Sequence, residues 1–372
     1  MTDTDNGAAE RRVVNSYNGW DPLEEVIVGT VVGAAKIAFE PGLGGYYPNR
    51  ADRRPQAARR TDKEIEAAEA QLNTLARVLE QEGVIVRRPT PMDYLTPVKT
   101  PTFEVLSQNA SACPRDVLLV IGDEIIEAPM AFRSRFFEYL PYRELVKEYF
   151  NEGARWTAAP KPSMSDDLYV KDFSIEEKIF DADTNPSLTD FEPCFDAASF
   201  ARIGKDIFYQ PDVVTNDFGA RWLSRHLGPE YRFHRARFED HHPPQHIDAT
   251  MVPLRPGLVM MNPERPAVDG TIQLFKENGW EVIEAEPSVG DKHFPTPEVS
   301  NWISMNVFNV DEETIICEER ETPMIKLFES LGFRVIAIPF KEVYSFGGSF
   351  HCCTVDIRRS GGLQSYFPKL DG

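Results

Sequence analysis

Apolar and polar positions along the 372-residue chain follow a pattern that recurs five times. A stretch with helical spacing runs to a glycine, and a β-rich run follows. The segments are LARVLEQEGVIVRRP, LVKEYFNEGARWTAAP, ARWLSRHLGPEYRFHRA, TIQLFKENGWEVIEAEP and MIKLFESLGFRVIAIP, with glycines at Gly83, Gly153, Gly228, Gly279 and Gly332. In the first, TDKE at 61–64 has the form of a capping box. Ile65, Ala68, Leu72, Leu75 and Leu79 lie on one helix face, and Gly83 supplies a left-handed stop. Val84-Ile85-Val86 then reads as a buried strand. Upstream of each helix lies another apolar run (VIVGT, VLLVIGDEII, DIFYQP, GLVMMNPERP and TIICEER), so the unit is strand, connection, helix, strand.

Successive stop glycines are 70, 75, 51 and 53 residues apart, so the last units are compact and the earlier ones carry insertions. The polar stretch MSDDLYVKDFSIEEKIFDADTNPSLTD is one such insertion and is expected as a surface loop. Helix, glycine and strand recur in any α/β protein. Five copies, four of them with proline after the closing strand, point instead to pseudo-symmetric repetition.

Composition narrows the partners. With 40 Lys+Arg against 59 Asp+Glu the net charge is -19, which repels a phosphate backbone or an anionic membrane. No apolar run has the length of a spanning helix, and residues 1–12 read as a disordered polar tail ahead of one catalytic domain at 13–372. Five cysteines, an odd and sparse number, fit reduced thiols and a cytoplasmic setting better than a disulfide framework.

Repetition around an axis lets distant residues converge, and the spacings test this. Asp196 and His246 are 50 residues apart, and His246 and Cys352 are 106 apart, twice the compact period of 53. Asp116, directly before VLLV, occupies a comparable place in its own unit. A thiol beside a base oriented by a carboxylate is the general arrangement for nucleophilic catalysis, since the thiolate attacks and its proton must be managed. Cys352 read alone is as easily an inert core residue. Asp196 also reads as a helix cap, His246 as a core histidine, and Asp116 and Arg265 as turn residues. A zinc site from His351, Cys352, Cys353, His241, His242 and His246 is disfavoured, because adjacent ligands on a strand diverge.

The motifs NGWDPLEEVIVG, CPRD, EAPMAFRSRFFEY, EPCFDAA, HIDAT, NPERP, WISMNV and FHC-x-T-x-D-x-RR-x-G span nearly the whole chain. On these the chain resembles the amidinotransferases that act on glycine or inosamine phosphate. The resemblance implies an α/β fold of the pentein type, a five-fold pseudo-symmetric propeller of ββαβ repeats. It implies Cys352 as nucleophile, His246 as general acid/base and Asp196 as its carboxylate partner. Asp116 and Asp248 then hold the donor guanidinium, while Arg265 and Ser300 hold an amino-acid carboxylate. Cys353 is expected on the opposite face of the same strand, and Asp248 on the strand face of His246. Arg358 and Arg359 are expected in structural ion pairs.

The implied reaction moves the amidino group of L-arginine through an amidino-cysteine to an amine, with glycine first and lysine, a polyamine or an aminocyclitol behind it. It needs no cofactor and no metal, and homodimers are common in the family. The HHPPQ run before His246 and Val299 depart from the family pattern near the acceptor. A citrulline-forming hydrolase and a non-catalytic binding module on the same fold are the competing functions.

Overall fold

The computed structural model describes residues 12–46, 54–171, 173, 180–239, 246–268, 270–289 and 300–371. All of the expected tail except Arg12, the HHPPQ run with His241 and His242, and Val299 lie outside these residues.

Five three-stranded sheets carry the architecture. In each, a first strand runs antiparallel to a middle strand, a helix follows, and a third strand returns parallel to the middle one. Unit two, for example, is Leu118–Ile121, Glu124–Glu127, helix Arg143–Asn151 and Arg155–Ala158. Unit three is Phe200–Ile203, Asp206–Tyr209, helix Asp217–Leu227 and Arg232–Arg235. Unit four opens with Met251–Arg255 and unit five with Phe308–Asn309. Unit one is assembled from both ends of the chain: Leu23–Val28 is its middle strand, helix Asp62–Gln81 and Ile85–Arg87 follow, and its first strand is Thr354–Arg359. That pairing closes the ring. The pseudo-symmetric propeller of ββαβ units implied by the sequence is therefore present.

Local chemistry explains the unit. Thr61 and Glu64 form the capping box at the first helix, and Ala68, Leu72, Leu75 and Leu79 are its buried face. All five stop glycines have positive φ, between 80° and 110°, where an L side chain would be strained. Middle strands are covered on both faces and almost wholly buried.

Three expectations change. Ile85 is exposed and Val86 half-buried, because every third strand is an outer sheet edge with only one face covered. VLLVIGDEII is two strands rather than one, broken at Gly122, whose φ of 62° turns the chain back on itself. The described part of the polar insertion buries Met164, Leu168, Tyr169, Phe173, Phe180 and Leu188 in a cluster with Phe132 and Val213. Its apolar residues are spread among acids, so the composition reads as loop while the packing does not.

Candidate active site

A short helical turn precedes the first strand of each sheet, and the five turns meet around the axis. Pro114–Val117 carries Asp116, and Asp196 caps Ala197–Ser199. His246 caps Ile247–Ala249, which carries Asp248, and Ile303–Met305 runs into Asn306. The fifth turn, at 351–353, holds His351, Cys352 and Cys353 just ahead of the closing strand. The spacings of 50 and 106 follow from this geometry, since each unit returns the chain to the same place.

Two local expectations are corrected here. His351, Cys352 and Cys353 form a turn and not a strand: Cys353 N donates to Ser349 O at 2.9 Å and Thr354 N to His351 O at 3.2 Å. Gly347, at a φ of 107°, starts this reversal, which a strand alternation rule cannot describe. Cys353 is fully buried against Cys113. Asp248 likewise lies in a helical turn and shares no strand face with His246.

The side chains converge. A carboxylate oxygen of Asp116, a ring nitrogen of His246 and Sγ of Cys352 all lie within 4.8 Å of one another. Asp248 Oδ2 is 3.6 Å from Cys352 Sγ, and Asp196 Oδ2 is 3.1 Å from His246 Nε2. The other ring nitrogen, Nδ1, faces Asp116 Oδ1 at 3.7 Å. With one carboxylate hydrogen-bonded at Nε2 and a second 3.7 Å from Nδ1, both ring nitrogens face negative charge, which favours the imidazolium form. Burial works against that charge, but Asp116, Asp196 and Asp248 outweigh it and push the pKa up to about 10. Burial, and then Asp248 and Asp116, raise the Cys352 thiol well above its ordinary range. As described, the site is a thiol beside an imidazolium.

Arg135 holds the carboxylates in place, and sequence reasoning missed it. Its guanidinium, nearly fully buried, reaches Asp116 Oδ2 at 3.0 Å, Asp196 Oδ2 at 3.1 Å and Glu138 Oε2 at 2.8 Å. One fork thus fixes the two acids that flank His246. The second oxygens of Asp116 and Asp196 are buried without a hydrogen-bond partner, a cost a cationic ligand would relieve. Asn306, also missed, accepts from Cys352 N at 3.0 Å and so pins the cysteine turn to unit five. The i, i+3 pair Arg135/Glu138 in FRSRFFEY was the available signal, but it reads equally well as a surface ion pair.

Gly348 makes room for the sulfur. A Cβ there would lie 2.3 Å from Cys352 Cβ and 2.9 Å from its Sγ. Arg265 and Ser300 are held by other contacts. Arg265 is buried, donates to Thr250 Oγ1, lies over the Phe238 ring and borders a small separate cavity with Gln210. Ser300 Oγ accepts from Trp302 N at 3.0 Å at the start of the unit-five turn. Arg358 and Arg359 do form ion pairs, with Glu24 and Glu25 and with Asp356.

Five ββαβ units closed around a buried cysteine, histidine and carboxylate cluster define a pentein. No protein-family model matches the chain. It is 46% identical over 368 residues to the mitochondrial glycine amidinotransferase of Gallus gallus, covering 95% of this chain and 85% of that one. It is also 46% identical over 357 residues to the L-arginine:L-lysine amidinotransferase of Pseudomonas savastanoi pv. phaseolicola, covering 95% and 96%. Among solved structures, a saxitoxin-pathway amidinotransferase from Microseira wollei superposes with a TM-score of 0.85 at 45% identity, covering 95% of this chain and 99% of that one. The chain belongs to the amidinotransferase family of transferases.

Proposed function

We propose that the chain transfers the amidino group of L-arginine, through a covalent amidino-Cys352, to an amine acceptor, with glycine first and lysine next. The observation that carries this reading is the approach of Asp116, His246 and Cys352 within 4.8 Å, with Asp248 at the sulfur. A guanidinium fits between Asp116 and Asp248, where its fork can meet two carboxylates. Burial, the first cause of the raised Cys352 thiol, remains, but the guanidinium's positive charge offsets the second, the field of Asp248 and Asp116, so donor binding shifts the balance toward the thiolate.

The thiol's proton goes to solvent once, and the thiolate then attacks the guanidinium carbon. His246, already protonated, gives its proton to the departing nitrogen as the C–N bond breaks, and ornithine leaves. The now neutral His246 takes a proton from the acceptor ammonium. The freed amine attacks the amidino carbon, its nitrogen releases a proton to solvent in place of the one that ornithine's neutral amine takes up, the S–C bond breaks, and the thiolate and imidazolium are restored. Asp196 and Arg135 keep the ring oriented throughout. We assign Arg265 and Ser300 to an amino-acid carboxylate, by resemblance to the family.

Residues 13–372 act as one catalytic domain in this reading, because the closing strand completes the sheet of the first unit. The partners are small molecules and a second copy of the chain in a homodimer. All five cysteines are free, which suits a reducing compartment such as the cytoplasm, and among the described residues no helix is long and apolar enough to cross a membrane.

Labelled arginine incubated with and without glycine, lysine and a polyamine tests the proposal. Ornithine with a guanidino product is expected. Citrulline formed whether or not an amine is present would make the chain a hydrolase, and no product at all would make it a binding module.

A further inference from the structure

A cavity on the axis adjoins the active site. Arg115, Arg202, Asp356 and Arg359 line it, and so do two residues of the site, Asp248 and His351. His351 keeps 28% of its side chain exposed, against 10% for Asp248 and 6% for His246. Of the two that line it, His351 is the more open to this space.

His351 Nδ1 lies 2.7 Å from Asp248 Oδ2, and the same oxygen lies 3.6 Å from Cys352 Sγ. One carboxylate oxygen thus faces both the imidazole and the sulfur, and the position of the ring fixes where that oxygen sits. Both nitrogens of His246 face other acids, whereas His351 meets Asp248 through Nδ1 and has a second nitrogen still able to gain a proton.

We propose that His351 is a positioning residue whose protonation state sets how much negative charge Asp248 offers to the donor guanidinium. The proposal rests on the amidinotransfer reading. A neutral ring donates Nδ1–H to Asp248, aims its carboxylate and leaves its charge intact. A proton added at Nε2 creates a cation 2.7 Å from Asp248, and that cation competes with arginine for the same carboxylate. The charged groups around His351 are Asp248, Cys352 next in the chain, Arg115, whose Nε approaches the His351 carbonyl at 3.4 Å, and Asp356, the partner of Arg115. His246 acts on Asp248 as well. Burial and Arg115 lower the His351 pKa from the ordinary imidazole value, so the competing cation forms only in acid.

Arginine binding to Cys352→Ala, measured by calorimetry from about pH 8 down into acid as far as the protein stays folded, separates binding from chemistry. Affinity is expected to hold at the upper end and to fall about tenfold per pH unit once His351 titrates. With His351→Asn added, whose amide N–H keeps the donor without titrating, affinity at the upper end should stay within a few-fold and the acid fall should vanish. His351→Leu, lacking the donor, should bind more weakly at every pH; equal binding by this variant would count against the positioning role. In the otherwise native enzyme the acid effect should appear in the arginine KM and not in kcat. A fall that persists unchanged in the asparagine variant, or no fall in the parent, overturns the inference. Failure of Cys352→Ala to bind arginine at any pH would instead sink the amidinotransfer reading itself.

Discussion

At Cys352 and its neighbours single atoms decide the outcome. A methyl group at Gly348 would crowd the Cβ and Sγ of Cys352, and Cys352 cannot retreat because Asn306 pins its backbone. Gly348→Ala should therefore lower turnover by about 100-fold or more while costing about 1–3 kcal/mol of stability, read by steady-state rates beside a denaturant melt. Cys352→Ala should abolish the amidino adduct seen by mass spectrometry after quenching with arginine. Cys353→Ala should retain it, since that thiol is fully buried against Cys113. The charge on His246 makes a pH prediction whose sign is fixed: the acid form is present below about 10 and is lost as pH rises through it. The ornithine burst should fall on that alkaline side. Asp196→Asn removes one of the flanking carboxylates, so the same limb should move to lower pH by about 1–3 units, with a rate loss of about 10²–10⁴. A limb that stays in place would show that Asp196 does not set the charge of the base.

Elements place those atoms by repetition. A helix in each unit ends at a left-handed glycine and a strand returns parallel to the middle one, so the turn before each first strand arrives at the axis. The helix-glycine-strand pattern is legible in the sequence because helix stops and apolar faces demand particular residue types at particular spacings. The convergence of Cys352, His246 and Asp196 is legible for the same reason, as a spacing near the repeat length. First strands are harder to see. FARI carries only four residues with a buried arginine, and the two-residue Phe308–Asn309 leaves no periodicity to detect. Arg135 escapes notice because a buried arginine in FRSR looks like a basic surface stretch until its three carboxylate partners, two of them from other segments, are seen together. Stability at this scale has a direct check in the first helix. Thr61→Ala removes the side-chain acceptor for Glu64 N and should cost about 1 kcal/mol by urea denaturation, without changing the arginine KM.

Across the whole molecule, the ring stays closed only if the last strand holds its place beside the first segment, and Asp356 is the knot. It sits fully buried on the closing strand. Its carboxylate meets Arg115 from the turn of unit two, Arg202 from the first strand of unit three at 2.7 Å, Arg359 on its own strand at 3.0 Å and Ser16 near the N-terminus at 2.8 Å. Burial opposes its charge, but the three guanidinium groups outweigh burial and hold its pKa well below the carboxylate range. A depressed folded pKa contributes stability that is complete above the unfolded value and lost only as pH falls through the folded one, so this knot should survive mild acid. Asp356→Asn keeps the shape and removes the charge, leaving three buried cations facing a neutral amide. Breaking a buried pair on one side costs about 3–5 kcal/mol, and here the loss falls on the strand that closes the ring. The expected result is a lower denaturation midpoint together with a loss of amidinotransfer, because the Cys352 turn leads directly into that strand. An Asp356→Asn protein with native stability would mean that strand pairing and apolar packing alone close the ring, leaving the axial charges to serve the chemistry above them.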